Sequence, residues 1–192
     1  MEGKYSVLGT RWLDKEIEYT GCQLRGHYVR ETGGIVTDGV VAFTGMCRVA
    51  TSELVDLEDA EEGAVITAER MLHFIGEHFG CPLREANFRL RLFTSIVIDV
   101  LRGGWAGPEL ARRGDDIFLK DRKMSVAVAT MTPVSSVFHF GLNVNPAGAP
   151  VPAAGLEEFG IDPRETALSV LDRYRDECES IELAVRKVRG RF

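Results

Sequence analysis

The chain has 192 residues, 45% hydrophobic and 27% charged, with a formal net charge of -6. That balance suits one globular domain over 1–192, large enough to bury a core without staples. It excludes the electrostatic footprint of nucleic-acid binding, since the one basic stretch, Arg186-Lys187-Val188-Arg189-Gly190-Arg191, is offset by acids earlier in the same helical run.

Met1 to Ser6 is polar with no apolar run behind it, and no stretch approaches a membrane span. Cys22, Cys47, Cys81 and Cys178 form no CxxC pair. A cytoplasmic protein with reduced thiols, and with no membrane partner, is the expectation.

The first fifty residues alternate and are rich in glycine, which predicts strands over Glu16 to Val29 and Ile35 to Phe43. Gly33-Gly34 and Asp38-Gly39 supply the turns. Ser52 to Gly63 is acidic and reads as a solvated loop or a helix N-terminus rather than a metal site. A helix is expected from Thr67, with Met71, Leu72, Ile75 and Phe79 as its stripe and Gly80 and Pro82 as its stop. His73 and His78 on it are five apart, which is not the zinc-ligand spacing, so they read as packing or surface residues.

A second helix runs from about Asn87 to Arg102, with Phe88, Leu92, Phe93, Ile96, Val97, Val100 and Leu101 on its apolar face. A hairpin follows: Ile117 to Leu119, a turn at Lys120 to Arg122, then Lys123 to Met131. A third strand spans about Val134 to Asn145, and a Pro/Gly loop runs to Gly155. The last helix opens on an Asp162 cap, Pro163 and Glu165, and carries Ala167, Val170, Leu171, Tyr174, Cys178, Ile181, Ala184, Val185 and Val188 as its stripe.

Strand alternation then sorts the chemistry. One hairpin face carries Lys123, Ser125, Ala127 and Ala129, where small residues leave room for a ligand or for a closely packed helix. On the third strand, Val137, His139, Gly141, Asn143 and Asn145 share a face too polar for a dry core. If the two faces turn the same way, Lys123, His139 and Asn143 converge.

The run Gly114-Asp115-Asp116-Ile117-Phe118-Leu119-Lys120-Asp121-Arg122-Lys123-Met124-Ser125 resembles the biotin protein ligase signature. Gly141-Leu142-Asn143-Val144-Asn145 resembles the Gly-Ile/Leu-Asn-x-Asn step that follows it. Gln23-Leu24-Arg25, Met71-Leu72-His73-Phe74-Ile75 and Phe138-His139-Phe140-Gly141-Leu142-Asn143 resemble the family known as domain of unknown function 366.

The fold this resemblance implies is α/β (α+β): a mixed, mainly antiparallel sheet flanked by helices, as in biotin/lipoate ligases and class II synthetases. The implied activity is binding of a small carboxylate or adenylate. That extends to an ATP- and Mg²⁺-dependent ligase or acyltransferase that passes the acyl group to a carrier-protein lysine, in a homodimer. The alternative is a non-catalytic binder of a nucleotide or small molecule on the same fold.

By resemblance, Lys123 is the catalytic cation at the crowded phosphoryl centre. Asp115 and Asp116 match the signature's polar pair. Ser125, His139, Gly141 and Asn143 are candidate ligand contacts, and Gln23, Arg25 and His27 stand where the ligases carry an arginine-rich phosphate loop. The departures are a single arginine in that loop, Val126 in place of a signature glycine, and Arg113-Gly114 in place of Trp-Pro.

Overall fold

The computed structural model describes residues 7–104 and 110–190. Met1 to Ser6, and Arg191 of the basic stretch, lie outside them. The chain runs through β1 (Gly9–Trp12), α1 (Tyr28–Gly33), β2 (Gly39–Val49), a 3-10 turn (Thr51–Glu53), α2 (Leu57–Glu61), β3 (Ile66–Phe79) and α3 (Leu83–Gly104). Then come β4 (Leu110–Arg113), β5 (Asp116–Leu119), β6 (Arg122–Lys123), β7 (Ser125–Met131), β8 (Ser135–Asn145), a second 3-10 turn (Leu156–Phe159) and α4 (Pro163–Arg186).

The main sheet has the order β1-β2-β3-β8-β7, parallel between β1 and β2 and antiparallel elsewhere. β4, β5 and β6 form a small antiparallel sheet beside it. The architecture is therefore the expected mixed, mainly antiparallel α/β one. The larger core lies between one sheet face and helices α3 and α4, around Phe74, Phe93, Phe138, Phe140 and Tyr174. A smaller core on the other face gathers Tyr19, Val29, Phe43, Met71 and Ile75.

The expected helix from Thr67 is instead β3, the centre of the sheet. Paired with β2 and β8 and covered on both faces, it buries every residue from Met71 to His78. A strand buried on both sides loses its alternation, so Met71, Leu72 and Ile75 imitate a helical stripe.

The strand expected over Glu16 to Val29 is also absent. Tyr19 forms an isolated bridge to the sheet at Cys47, and the Ile17 N–H donates to the Thr44 carbonyl of β2 at 2.9 Å, with no continuous ladder. Gly21 adopts φ 95°. The Gln23 side chain accepts the Thr20 N–H at 3.1 Å and donates to the Glu18 carbonyl at 2.8 Å, a local turn that competes with ladder pairing. Tyr28–Gly33 is helical, and the next strand begins at Gly39 rather than Ile35.

The strand expected over Lys123 to Met131 as partner of Ile117 to Leu119 is divided between the sheets, Arg122–Lys123 pairing with β5 and Ser125–Met131 with β8, while the two long helices follow their patterns. α3 buries Leu90, Phe93, Ile96, Val97 and Leu101, but Phe88, expected on that face, is exposed. The Asp162 carboxylate caps α4 by accepting the Glu165 N–H at 2.8 Å. Its stripe is buried only as far as Cys178. Ile181, Ala184, Val185 and Val188 are exposed, because the helix outruns the core. Among the described residues no helix is long and apolar enough to cross a membrane.

Candidate functional site: a cavity on the free face of the sheet

Cross-strand partners share a face. The register pairs Val126 with Gly141, Val128 with His139, Ile75 with His139 and His73 with Gly141. Val126, Val128, His139, Gly141, Asn143, Met71, His73 and Ile75 therefore lie on the face turned away from α3 and α4. Above its β7–β8 end stand the Thr51–Glu53 turn, α2 and the loop around Pro150. Together they border a half-open cavity of about 380 Å³, lined by Tyr19, Glu53, Asp56, Asp59, Met71, Asp115, Asp116, Lys123, Val126, His139, Asn143 and Val151, among others. That volume suits a small organic ligand.

Lys123 is held from both sides. Its N–H donates to the Pro152 carbonyl at 2.9 Å, and its own carbonyl accepts the Ala154 N–H at 3.1 Å. Its Nζ meets Asp116 Oδ2 at 2.7 Å, with both side chains partly buried. Burial pushes the Asp116 carboxyl above the usual range, and the Lys123 ammonium opposes that shift.

The expected grouping of Lys123 with Ser125, Ala127 and Ala129 on one face is overturned. Met124 interrupts the strand between β6 and β7, and both it and Ser125 are fully buried. Ser125 pairs with Leu142, on the helix side of the sheet, and its hydroxyl accepts the Ile117 N–H at 2.8 Å. Ala127 and Ala129 pack against the larger core. The small residues make room for α3, and this irregularity brings Lys123 to the cavity with Val126.

Asn143 donates through Nδ2 to the carbonyls of Lys123 and Ala154, both at 3.2 Å. Since both partners are acceptors, the amide orientation is fixed and Oδ1 is left over. His139 is almost fully buried. Tyr19 covers one face of its imidazole, ring centroids 3.7 Å apart, and its Nε2 lies 3.0 Å from His73 Nδ1. His73 Nε2 in turn lies 3.2 Å from the Gly45 carbonyl oxygen. Burial pushes His73 down to about 4 and holds His139 well below the ordinary histidine range, so both rings are neutral at pH 7.

At Gly141 a Cβ would fall 2.8 Å from Met71 Cε and 3.1 Å from His139 Cε1. The bare glycine lets the imidazole lie along the strand.

Lys123, Asp115, Asp116, His139 and Asn143 thus border one cavity, and Ser125 reaches its edge. Gln23, Arg25 and His27 do not line it. Arg25 is ion-paired with Glu31 on the surface, Gln23 is spent on its own turn, and the His27 N–H donates to the buried Glu77 carboxylate at 2.7 Å.

Sequence reasoning did not assign Tyr19, His73, Glu53, Asp56 or Asp59 to the site. The acidic run was visible as a helix start, and Asp56 does cap α2, accepting the Glu58 and Asp59 N–H groups at 2.9 and 3.2 Å. Nothing local marked it as a cavity wall.

Biotin protein ligase from Aquifex aeolicus in complex with biotin and ATP is similar in fold, with a TM-score of 0.56 and 20% identity over 88% of this chain and 69% of that one. A putative lipoate protein ligase from T. acidophilum is similar at a TM-score of 0.53 and 15% identity, over 88% and 85% of the two chains. A protein of unknown function from Pyrococcus horikoshi is much nearer, with a TM-score of 0.90 and 35% identity over 96% of this chain and all of that one. The uncharacterized protein MJ0805 of Methanocaldococcus jannaschii is 32% identical over 183 residues, 92% of this chain and 82% of that protein. The family model described as "Domain of unknown function (DUF366)" matches residues 8–189, and the chain belongs to that family, on the fold of biotin and lipoate protein ligases.

Proposed function

We propose that this protein binds a small organic carboxylate in the cavity between β7–β8 and α2, with Lys123 as the group that meets the acid. The observation that carries this reading is the Lys123–Asp116 pair at the wall of a half-open cavity of about 380 Å³. A lysine held by its backbone on both sides and already facing one carboxylate is arranged to face a second.

A second reading is acyl-adenylate formation with ATP and transfer to a carrier-protein lysine, in a homodimer. The fold it shares with the Aquifex enzyme favours it. The donor set does not. Among the described residues Lys123 is the sole lysine or arginine lining the cavity, beside Glu53, Asp56, Asp59, Asp115 and Asp116, and no group of three or more metal-ligating side chains converges. A triphosphate needs more positive charge than one paired lysine supplies. Binding is therefore the preferred reading, and no adenylation step is assigned to these residues.

Calorimetric titration of the purified chain with biotin, lipoate and octanoate, each with and without ATP and Mg²⁺, tests both readings. At least one acid should bind alone, and Lys123→Ala should weaken it at least about tenfold, the loss expected for one charge-assisted hydrogen bond. Equal binding by wild type and Lys123→Ala would remove the carboxylate reading. Acid-dependent pyrophosphate release would replace it with the ligase.

A further inference from the structure

At the rim of the helix side of the sheet, where the loop after β1 meets the start of α4, lies a second opening. It is a groove of about 300 Å³. Thr44 belongs to its floor. Across β2 and β3 it pairs with Leu72, which packs in the larger core, so it faces away from His139 and the first cavity.

Thr44 is 5% exposed, yet its hydroxyl makes no hydrogen bond among the described residues. An unpaired buried hydroxyl costs stability and persists where something entering the opening supplies the bond. Arg70 shares the groove. Its Nε is buried and lies 3.1 Å from Glu16 Oε1, at an angle that makes an ion pair but no hydrogen bond. Its terminal nitrogens make no hydrogen bond among the described residues either. Lys15, in the loop after β1, has no ion pair or side-chain hydrogen bond among the described residues. Arg164, in the first turn of α4, meets Asp14 Oδ1 only at 3.6 Å.

Three carboxylates line the same groove, and each is already engaged. Asp14 accepts the Trp12 indole N–H at 2.8 Å, Glu16 faces Arg70, and Asp162 accepts the Glu165 N–H at 2.8 Å as the cap of α4. The formal charges of Lys15, Arg70 and Arg164 balance those acids, but the hydrogen-bonding capacity does not balance. What is left over is donors.

We propose that this groove is a second ligand site, built for the phosphate group of inorganic phosphate or of a small phosphate monoester. Thr44 and the Arg70 fork form its base, and Lys15 and Arg164 its sides. A planar carboxylate is satisfied by an arginine fork alone, whereas donors from sheet, loop and helix match oxygens that point in tetrahedral directions. The positive end of α4, a helix of 24 residues, adds to the attraction. The site lies on the opposite face from His139 and does not depend on the acid reading of the first cavity.

The test uses ¹⁵N-labelled full-length chain at pH 7, titrated with phosphate, phenyl phosphate and acetate at constant ionic strength. Phosphate should shift the Trp12 indole and the amides of Lys15, Thr44 and Arg164 along one saturating curve. Acetate should bind there at least about tenfold more weakly, as for the loss of one charge-assisted hydrogen bond. Thr44→Val should weaken phosphate about fivefold, the ratio for one net hydrogen bond, and Arg70→Met at least about tenfold. Because the Thr44 hydroxyl is unbonded in the free protein, Thr44→Val should leave the urea midpoint unchanged, which separates a ligand contact from a folding contact. Thr44→Val carries the test by itself if Arg70→Met does not fold.

Shifts that stay linear in phosphate, equal affinity for acetate, or wild-type affinity in Thr44→Val overturn the proposal. So does a lowered urea midpoint in Thr44→Val, since the hydroxyl would then be bonded within the fold. A phosphate response confined to Lys123 and Asp116 also overturns it and moves the anion to the first cavity, whose acid reading is judged by the calorimetric panel. With saturable binding in hand, tighter binding of phenyl phosphate than of phosphate identifies the monoester as the ligand, and weaker binding identifies the free ion.

Discussion

At the scale of single residues, the buried histidine pair sets a pH dependence. In the unfolded chain both imidazoles take up protons near pH 6.5, whereas in the folded chain burial holds His73 down to about 4 and His139 well below its ordinary value. The unfolded state therefore binds more protons over that window. The stabilising contribution is complete above about pH 6.5 and falls with pH below it, for His73 down to about 4 at about 1.4 kcal/mol per pH unit, with His139 adding in the same direction. Urea midpoints measured between pH 7 and 4.5 should fall accordingly, and His139→Gln should make the fall clearly shallower. A profile with the same slope in that variant would mean that His139 is not buried neutral.

Arg25 makes the opposite case. It was the expected anion contact, yet it pairs with Glu31 in an exposed position outside the cavity. Arg25→Ala should leave acid binding unchanged and cost under about 0.5 kcal/mol in urea unfolding. A tenfold loss of affinity would return Arg25 to the site. His139 and Asn143 were legible together from the alternation along β8, whereas Lys123 was reached through the resemblance alone, since alternation put it on the opposite face. Ser125 was misplaced because one irregular residue, Met124, shifts the alternation at a place where no glycine or proline announces it.

At the scale of elements, the chain's glycines decide how closely the irregular N-terminal segment can approach the sheet. A Cβ on Gly45 would lie 1.9 Å from the Ile17 carbonyl oxygen and 2.6 Å from its carbon, both backbone atoms that no rotamer change can move. Gly45→Ala should therefore destabilise by on the order of 3 kcal/mol in urea unfolding, near the upper end for overpacking. It should also disturb His73, whose Nε2 donates to the Gly45 carbonyl. By contrast Asp162→Ala removes a single cap from α4 and should cost about 1 kcal/mol.

α4 was readable from this cap with Pro163 and Glu165, and β8 from its polar and apolar alternation. β3 was not. Its identity lies in what covers it, since Leu72 and Phe74 meet the helical layer while Met71 and Ile75 meet the smaller core. A strand that is apolar on both faces carries no period of its own to set against a helix. The reading of residues 16–29 failed for a related reason: its apparent alternation belongs to Ile17 and Tyr19 packing on the smaller core without forming a strand.

At the scale of the whole molecule, the two faces of the sheet are unequally finished. One is sealed by α3 and α4 around a continuous aromatic core. The other is roofed at the cavity by the Thr51–Glu53 turn and α2, neither of which buries a single residue. Elements without buried contacts open at little free-energy cost, whereas central strands open only with the fold. In the free protein the amides of residues 54–64 should exchange with deuterium fastest among the regular elements, while those of Phe74 and Phe140, in the middle of β3 and β8, should exchange only by global unfolding. Because Asp56 and Asp59 line the same cavity as Lys123, the proposed function requires an acid held at Lys123 to lie between roof and sheet. Saturation with whichever acid binds in the calorimetric panel should slow exchange across 54–64 by at least about tenfold and leave β3 and β8 protected at least as strongly as before. Lys123→Ala should abolish the slowing at the same acid concentration. If instead protection rises equally in every element, the ligand stabilises the fold from elsewhere, and the roof over this cavity takes no part in holding it.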